Sequence, residues 1–345
     1  MRDRSIDVAK GLAIIAIVLG HVLRGLVSSG LIDANSTAFQ HTDRLLYMAH
    51  LSVFALLSGL FVQQGLAKSG RADYLRSRVG LFLYLYVLWE LLQGFSALVL
   101  SPEGKTVGTV LSLWRPDSQM WFFPWLIVVT VAVAFFPPWG RPRYRAALAC
   151  VVIVAVGIAR WGQLGTIAFT QGLSLGMFFF AGAAMGSARY QRWVAARISI
   201  PVAIAAGALY VVLTVQFDAV PPTSLGDGWS FSGTALGVVS SFSAVAAVAV
   251  AAKMLSRVDR LAQVLAYVGR HSLEVFVAHV FAINAVRVVL ERAGFDSVAL
   301  QVALGTVGGV VFPLLLGWVV ARFRIPWVFD APRVIVGAPR TAKTH

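Results

Sequence analysis

Residues 7–27 read DVAKGLAIIAIVLGHVLRGLV, an apolar stretch entered through Asp7 and interrupted by Lys10, His21 and Arg24. About 20 apolar residues cross the hydrocarbon core of a bilayer as a helix, and an ionisable group inside that core is costly. At about 100° per residue, the step from Lys10 to His21 closes to within about 20° of whole turns. Asp7 and Arg24 fall within about 60° of the same line. The first helix thus carries a polar seam on one face, with His21 roughly 16 Å deeper than Lys10, and a seam of this kind faces the interior of a bundle. A histidine hydrogen-bonded in the core is the plain alternative for His21, and snorkelling to the headgroups is the alternative for Lys10 and Asp7. With Lys10 and His21 in register, chemistry is the better reading.

Nine further apolar runs follow: Leu45–Leu66, Leu81–Leu100, Met120–Phe136, Ala146–Trp161, Ile167–Gly186, Ile198–Gln216, Thr234–Ala252, Leu265–Leu290 and Val298–Val320. Lipid offers no water to satisfy an open strand edge, so these runs predict helices. The expectation is an all-α polytopic membrane protein with about ten transmembrane helices. Composition agrees: 58% of residues are apolar and 13% charged, against about half and about a quarter in a soluble domain. A water-soluble protein is excluded.

With the N-terminus in the cytoplasm, alternate connecting segments collect 21 of the 29 lysines and arginines, among them Arg2, Arg4, Arg76, Arg78, Arg340 and Lys343. The other segments hold little (Lys105 is one base), and Phe217–Gly233 has Asp218 and Asp227 but no base. This bias predicts N-in and C-in. It also assigns the net charge of +14 to positive loops and not to a nucleic-acid surface. Arg2 and Arg4 ahead of an apolar stretch imitate a signal peptide, but Lys10, His21 and Arg24 inside it predict a retained helix. Residues 1–322 form one transmembrane domain, and 323–345 a short cytoplasmic tail.

The remaining candidates are His50 and Ser58 in the second run, Glu90 in the third, and Glu274 and His279 in the ninth. They join Asp7 and Arg24 as supporting polar groups. One cysteine, Cys150, permits neither an intramolecular disulfide nor a cysteine metal site. There is no HExxH, no histidine pair at i, i+4, no phosphate-binding loop and no G-x-S-x-G elbow. No metal is expected, and histidine is the base available for proton transfer.

The stretch Arg4–His21 resembles the opening of the acyltransferase 3 membrane family, closest to its fucose O-acetylase-like branch. The family's basic-x10-His signature is matched by Lys10 and His21. Met48–Gly59 resembles the second-helix motif, with Leu60 where the family has an aromatic residue. Arg76-Ser-Arg78 before Trp89 resembles the basic entry to the third helix, with Leu85 replacing the usual proline. Trp121-Phe122-Phe123 resembles the Trp-Phe-Leu opening of a middle helix. Gly269–His279 resembles the late Gly-x-x-Ser-Leu-x-hydrophobic-aromatic-x-x-His motif, with Phe276 at the aromatic position.

The resemblance implies an enzyme of the cell membrane that moves an acyl group, usually acetyl from acetyl-CoA, onto a hydroxyl of a glycan or related envelope acceptor. No bound cofactor is implied; acetyl-CoA is a co-substrate, and membrane lipids are the remaining partner. His21 and Lys10 are then the catalytic candidates, with Lys10, Arg78 and Arg76 for the donor's phosphates. A secondary transporter or glycan-lipid flippase using the same charges as a proton relay is the second class of reading. Inverted repeats would favour it, and none is visible. A structural or sensory protein with the seam as an assembly interface is the third.

Overall fold

A computed structural model describes residues 4–100, 106–217, 219–223 and 230–337. Arg2, Lys105, Asp218, Asp227, Arg340 and Lys343 lie outside them. The described residues contain helices and no strand: α1 (Ser5–Ser28), α2 (Thr37–Gly59), α3 (Val62–Leu100), α4 (Val107–Val110), α5 (Phe122–Phe135), α6 (Arg143–Ala159), α7 (Gly176–Ala195), α8 (Ser199–Gln216), α9 (Phe231–Leu255), α10 (Asp259–Arg270), α11 (Ser272–Arg292), α12 (Val298–Arg322) and α13 (Arg333–Val336). Every one of the ten apolar runs overlaps a helix. Six helices are long and apolar enough to cross a membrane: α1, α3, α8, α9, α11 and α12. Helices α5 and α6 are shorter, α2 opens on polar residues, and α7 is broken by Gly186 at φ 67°. The protein is a multi-pass membrane protein.

Helix α1 is the axle of the bundle. In its most apolar window 67% of residues are buried, against 17% for α8 and 22% for α12, which line the outside. That central place is possible because glycines let neighbouring backbones touch. A Cβ on Gly11 would stand 2.2 Å from the Leu265 carbonyl oxygen, and one on Gly269 would stand 1.8 Å from that of Asp7. A second crossing, between α2 and α7, is equally tight: a Cβ on Gly59 would meet the Phe179 carbonyl at 2.1 Å. In water a helical glycine costs about 1 kcal/mol relative to alanine; between membrane helices close approach offsets it.

Two apolar runs cross helix boundaries. Leu45–Leu66 spans the turn at Leu60–Phe61 that separates α2 from α3. Leu265–Leu290 is two helices, not one: it begins inside α10, whose buried Ala262, Leu265, Ala266 and Gly269 lie toward α1. The chain breaks at His271, and α11 starts at Ser272. Hydropathy registers that Leu265 and Ala266 are apolar, not that they are covered by protein instead of lipid.

The chain beyond α12 folds back along α3. Tyr84 Oη donates to the Trp327 carbonyl at 2.8 Å, Trp89 Nε1 donates to that of Val328 at 3.1 Å, and Phe329 stacks 5.6 Å from Trp89. Arg76 Nη2 closes the far end on the Val334 carbonyl at 3.1 Å.

Candidate active site

The seam of α1 opens into two cavities, one at each end. The larger, about 760 Å³, is lined by Ile17, His21 and Arg24 of α1, by Tyr47, His50 and Leu51 of α2, and by the segment Arg115–Gln119. Leu164–Thr166, Gln171, Thr223 and the aromatic residues Trp121, Phe122 and Phe276 complete it. The Arg24 guanidinium meets Asp43 as a fork, with Nε–Oδ1 and Nη2–Oδ2 both 2.8 Å, and lies 3.5 Å from the centroid of the Tyr47 ring. The His50 ring stands edge-on to Tyr47 at 4.7 Å. Planar charge, aromatic face and carboxylate together hold Arg24 in one orientation.

His21 lies edge-on to His279, with ring centroids 5.0 Å apart. His279 is fully buried, and its Nδ1 is 3.0 Å and 2.8 Å from the carbonyl oxygens of Val275 and Phe276. Both oxygens can only accept, so Nδ1 carries the proton and Nε2 is a bare lone pair. That Nε2 has no hydrogen-bond partner among the described residues, and His21 is the neighbouring ring. The two rings are in edge contact without a hydrogen bond between them.

The segment over this cavity is pinned from α3. The Asp117 amide donates to Glu90 Oε1 at 2.8 Å, and Tyr86 Oη donates to the Leu113 carbonyl. Gln119 Nε2 reaches the Phe276 carbonyl at 3.4 Å. Among the lining residues, Gln119, Gln171 and Thr223 each keep a buried side-chain oxygen that finds no hydrogen-bond partner among the described residues. A buried polar atom left unpaired costs about 1–3 kcal/mol.

The second cavity, about 420 Å³, is lined by Lys10, Ser58, Tyr74, Arg78 and Ser272 on a wall of phenylalanine and leucine side chains. Lys10 Nζ is 5.6 Å from the centroid of the Phe61 ring, and the Arg78 guanidinium 6.0 Å from that of Tyr74. The Ser58 hydroxyl donates to its own helix at the Phe54 carbonyl, 2.8 Å away. Lys10 and His21 thus stand on one unbroken helix, one in each cavity.

Other sequence candidates fall elsewhere. Asp7 is buried, 4.0 Å from Arg270, at the contact of α1 with α10. Arg76 is exposed and lines neither cavity; its partner is Val334. Glu90 holds the Asp117 amide, and Glu274 pairs with His271 Nδ1 at 3.0 Å. Neither carboxylate lines a cavity. Sequence reasoning missed Asp43, Tyr47, Asp117, Gln119 and Gln171. The first two were within reach, since Asp43, Tyr47 and His50 recur at helical spacing on one face of α2.

The molecule is a helical membrane bundle with a cavity at each end of α1, and at the larger one His21 lies against the buried His279. The match to the acyltransferase domain covers residues 3–322, and the chain belongs to the acyltransferase 3 family. It is an acyltransferase. No curated protein and no solved structure matches the chain.

Proposed function

We propose that the protein moves an acetyl group from acetyl-CoA, bound at the Lys10 cavity, to a hydroxyl of an envelope glycan or related acceptor bound at the His21 cavity. The observation that carries this reading is the common helix: Lys10, with Arg78 across from it, at one cavity, and His21, backed by His279, at the other. Lys10 and Arg78 suit the phosphates of the donor, and the apolar wall suits its uncharged arm. Gln119, Gln171 and Thr223 suit the hydroxyls of a sugar, with Trp121 as an aromatic face. The resemblance to the fucose O-acetylase-like branch supports the same acceptor class.

Two routes are open to His21, and both use its unprotonated nitrogen. As general base it takes the acceptor's proton while the hydroxyl oxygen bonds to the thioester carbon, the C–S bond breaks, and the thiolate leaves with that proton. As a nucleophile it first carries the acyl group itself. In either route His279 Nε2 steadies the positive charge that builds on the imidazole by accepting its other N–H.

Ten spans with both termini in the cytoplasm would put the Lys10 end inside and the His21 end outside, in the cell membrane. The base asymmetry of the segments supports that orientation. Cells expressing the protein should transfer isotope from acetyl-labelled acetyl-CoA to envelope glycans, and a reporter fused after His345 should be active only in a cytoplasmic format. Absence of label on any acceptor in cells with correctly inserted protein would sink the donor reading. A C-terminal fusion active outside would sink the topology.

A further inference from the structure

The two cavities do not merge. Among the described residues just two, Phe122 and Phe276, line both. Their rings are 5.4 Å apart at 50°, and both residues are buried, 5% and 6% exposed. Around them the rings are closely supported: Phe122 lies 4.8 Å from Trp125, and Phe276 lies edge-on to Phe123 at 5.6 Å. The backbone of Phe276 is tied as well, its carbonyl accepting from Gln119 Nε2 at 3.4 Å and from His279 Nδ1 at 2.8 Å. With the main chain held, these two side chains are the ones that face both the Lys10 and the His21 cavity. Both belong to sequence motifs of the chain, Trp121-Phe122-Phe123 and Gly269–His279.

We infer that Phe122 and Phe276 form an acyl gate, a two-ring constriction that admits only a short acyl group from the Lys10 cavity to His21 and keeps water from the thioester. This inference rests on the donor reading proposed above. The argument is one of width against volume. A cavity of about 420 Å³ has room for an acyl chain longer than acetyl, so the cavity alone would not discriminate. A gap opened by turning a ring that neighbours support on several sides is narrow, and each added methylene must displace more of that packing. The same closed pair would keep water that enters the histidine-bearing cavity from a hydrolysable thioester. In the side reaction it suppresses, water would bond to the thioester carbon, the C–S bond would break, and acid and thiol would be released with the proton relayed by His21.

Purified Phe122→Ala, Phe276→Ala and the milder Phe276→Leu proteins test it, with water as the probe acceptor. Thiol release is followed from acetyl-CoA and hexanoyl-CoA separately. Both alanine variants should raise the hexanoyl-to-acetyl ratio of kcat/KM by about tenfold or more, raise acceptor-independent acetyl-CoA hydrolysis, and leave Phe276→Leu between them and wild type. Should the alanine variants fail to fold, the leucine variant alone decides on the same two readouts. If wild type transfers acetyl to an acceptor while folded variants keep its chain-length ratio and hydrolysis rate, the gate is wrong and the donor reading stands. If wild type moves acetyl neither to water nor to the envelope glycans of cells that express it, both fall.

Discussion

The His21 cavity draws on α1, α2, three connecting segments and one phenylalanine each from α5 and α11, and carries an ion pair, two histidines and buried polar atoms without hydrogen-bond partners among the described residues. The Lys10 cavity is about half as large and walled mostly by phenylalanine and leucine, with two cations and two serines at its polar points. A ligand with many hydroxyls suits the first, and an elongated, mostly apolar arm with an anionic end suits the second. Under the proposed function, the contrast teaches that the helix carrying the chemistry is shared, while discrimination between ligands is delegated to what surrounds it. On the His21 side that is a set of loops; on the Lys10 side it is helix walls.

The contrast breaks hardest at His21. His21→Ala should cost about 10²–10⁴-fold in acetyl transfer, the range expected for lost general-base help, with insertion and monodispersity unchanged. A folded variant that keeps more than about a tenth of wild-type turnover removes His21 from the chemistry. His279 comes next, because it touches His21 and neither cavity. His279→Ala should lower kcat at least about tenfold, below the ~10⁴-fold that a wrong tautomer costs a catalytic triad, and leave both KM values unchanged. His279→Gln, whose amide oxygen can still accept an N–H, should recover part of the loss. Equal defects in the two variants, or a fall in stability alone, would assign His279 to packing.

A smaller effect sharpens the other half of the comparison. Lys10→Gln and Arg78→Gln should raise the donor KM by roughly tenfold with less change in kcat, as loss of ground-state binding does. Arg76→Ala should leave the donor KM unchanged, because its guanidinium points to Val334 and not into the cavity. A larger KM effect at Arg76 than at Arg78 would reverse the donor assignment.

Much of the helix side of this comparison is legible in the sequence, and little of the loop side is. Lys10 and His21 announce themselves because a bilayer makes every buried charge conspicuous. Arg78, His50 and Ser58 are carried by family motifs. Arg76 and Arg78 look alike in those motifs, and only the return of the chain to Val334 separates them. Gln119, Gln171 and Thr223 have no such signal: an uncharged polar residue between helices is the ordinary content of a loop. What makes them notable, burial without a partner, is a property of packing across distant segments. The break at His271 escaped for a related reason, since the apolar residues of α10 are hidden by α1, and hydropathy does not distinguish protein from lipid as the cover.

The family match ends at residue 322, yet the polypeptide continues to hold on to α3 through Trp327, Val328 and Phe329. The residues it grips, Tyr84 and Trp89, alternate along that helix with Tyr86 and Glu90, which fasten the loop over the His21 cavity. For anyone engineering the enzyme, the obvious cut point at Arg322 is therefore the wrong one. It would strip the acceptors from a tyrosine hydroxyl and a buried indole, and would loosen the same stretch of helix that anchors the loop over the His21 cavity. An affinity tag belongs after His345, and a shortened enzyme should keep everything through Gly337.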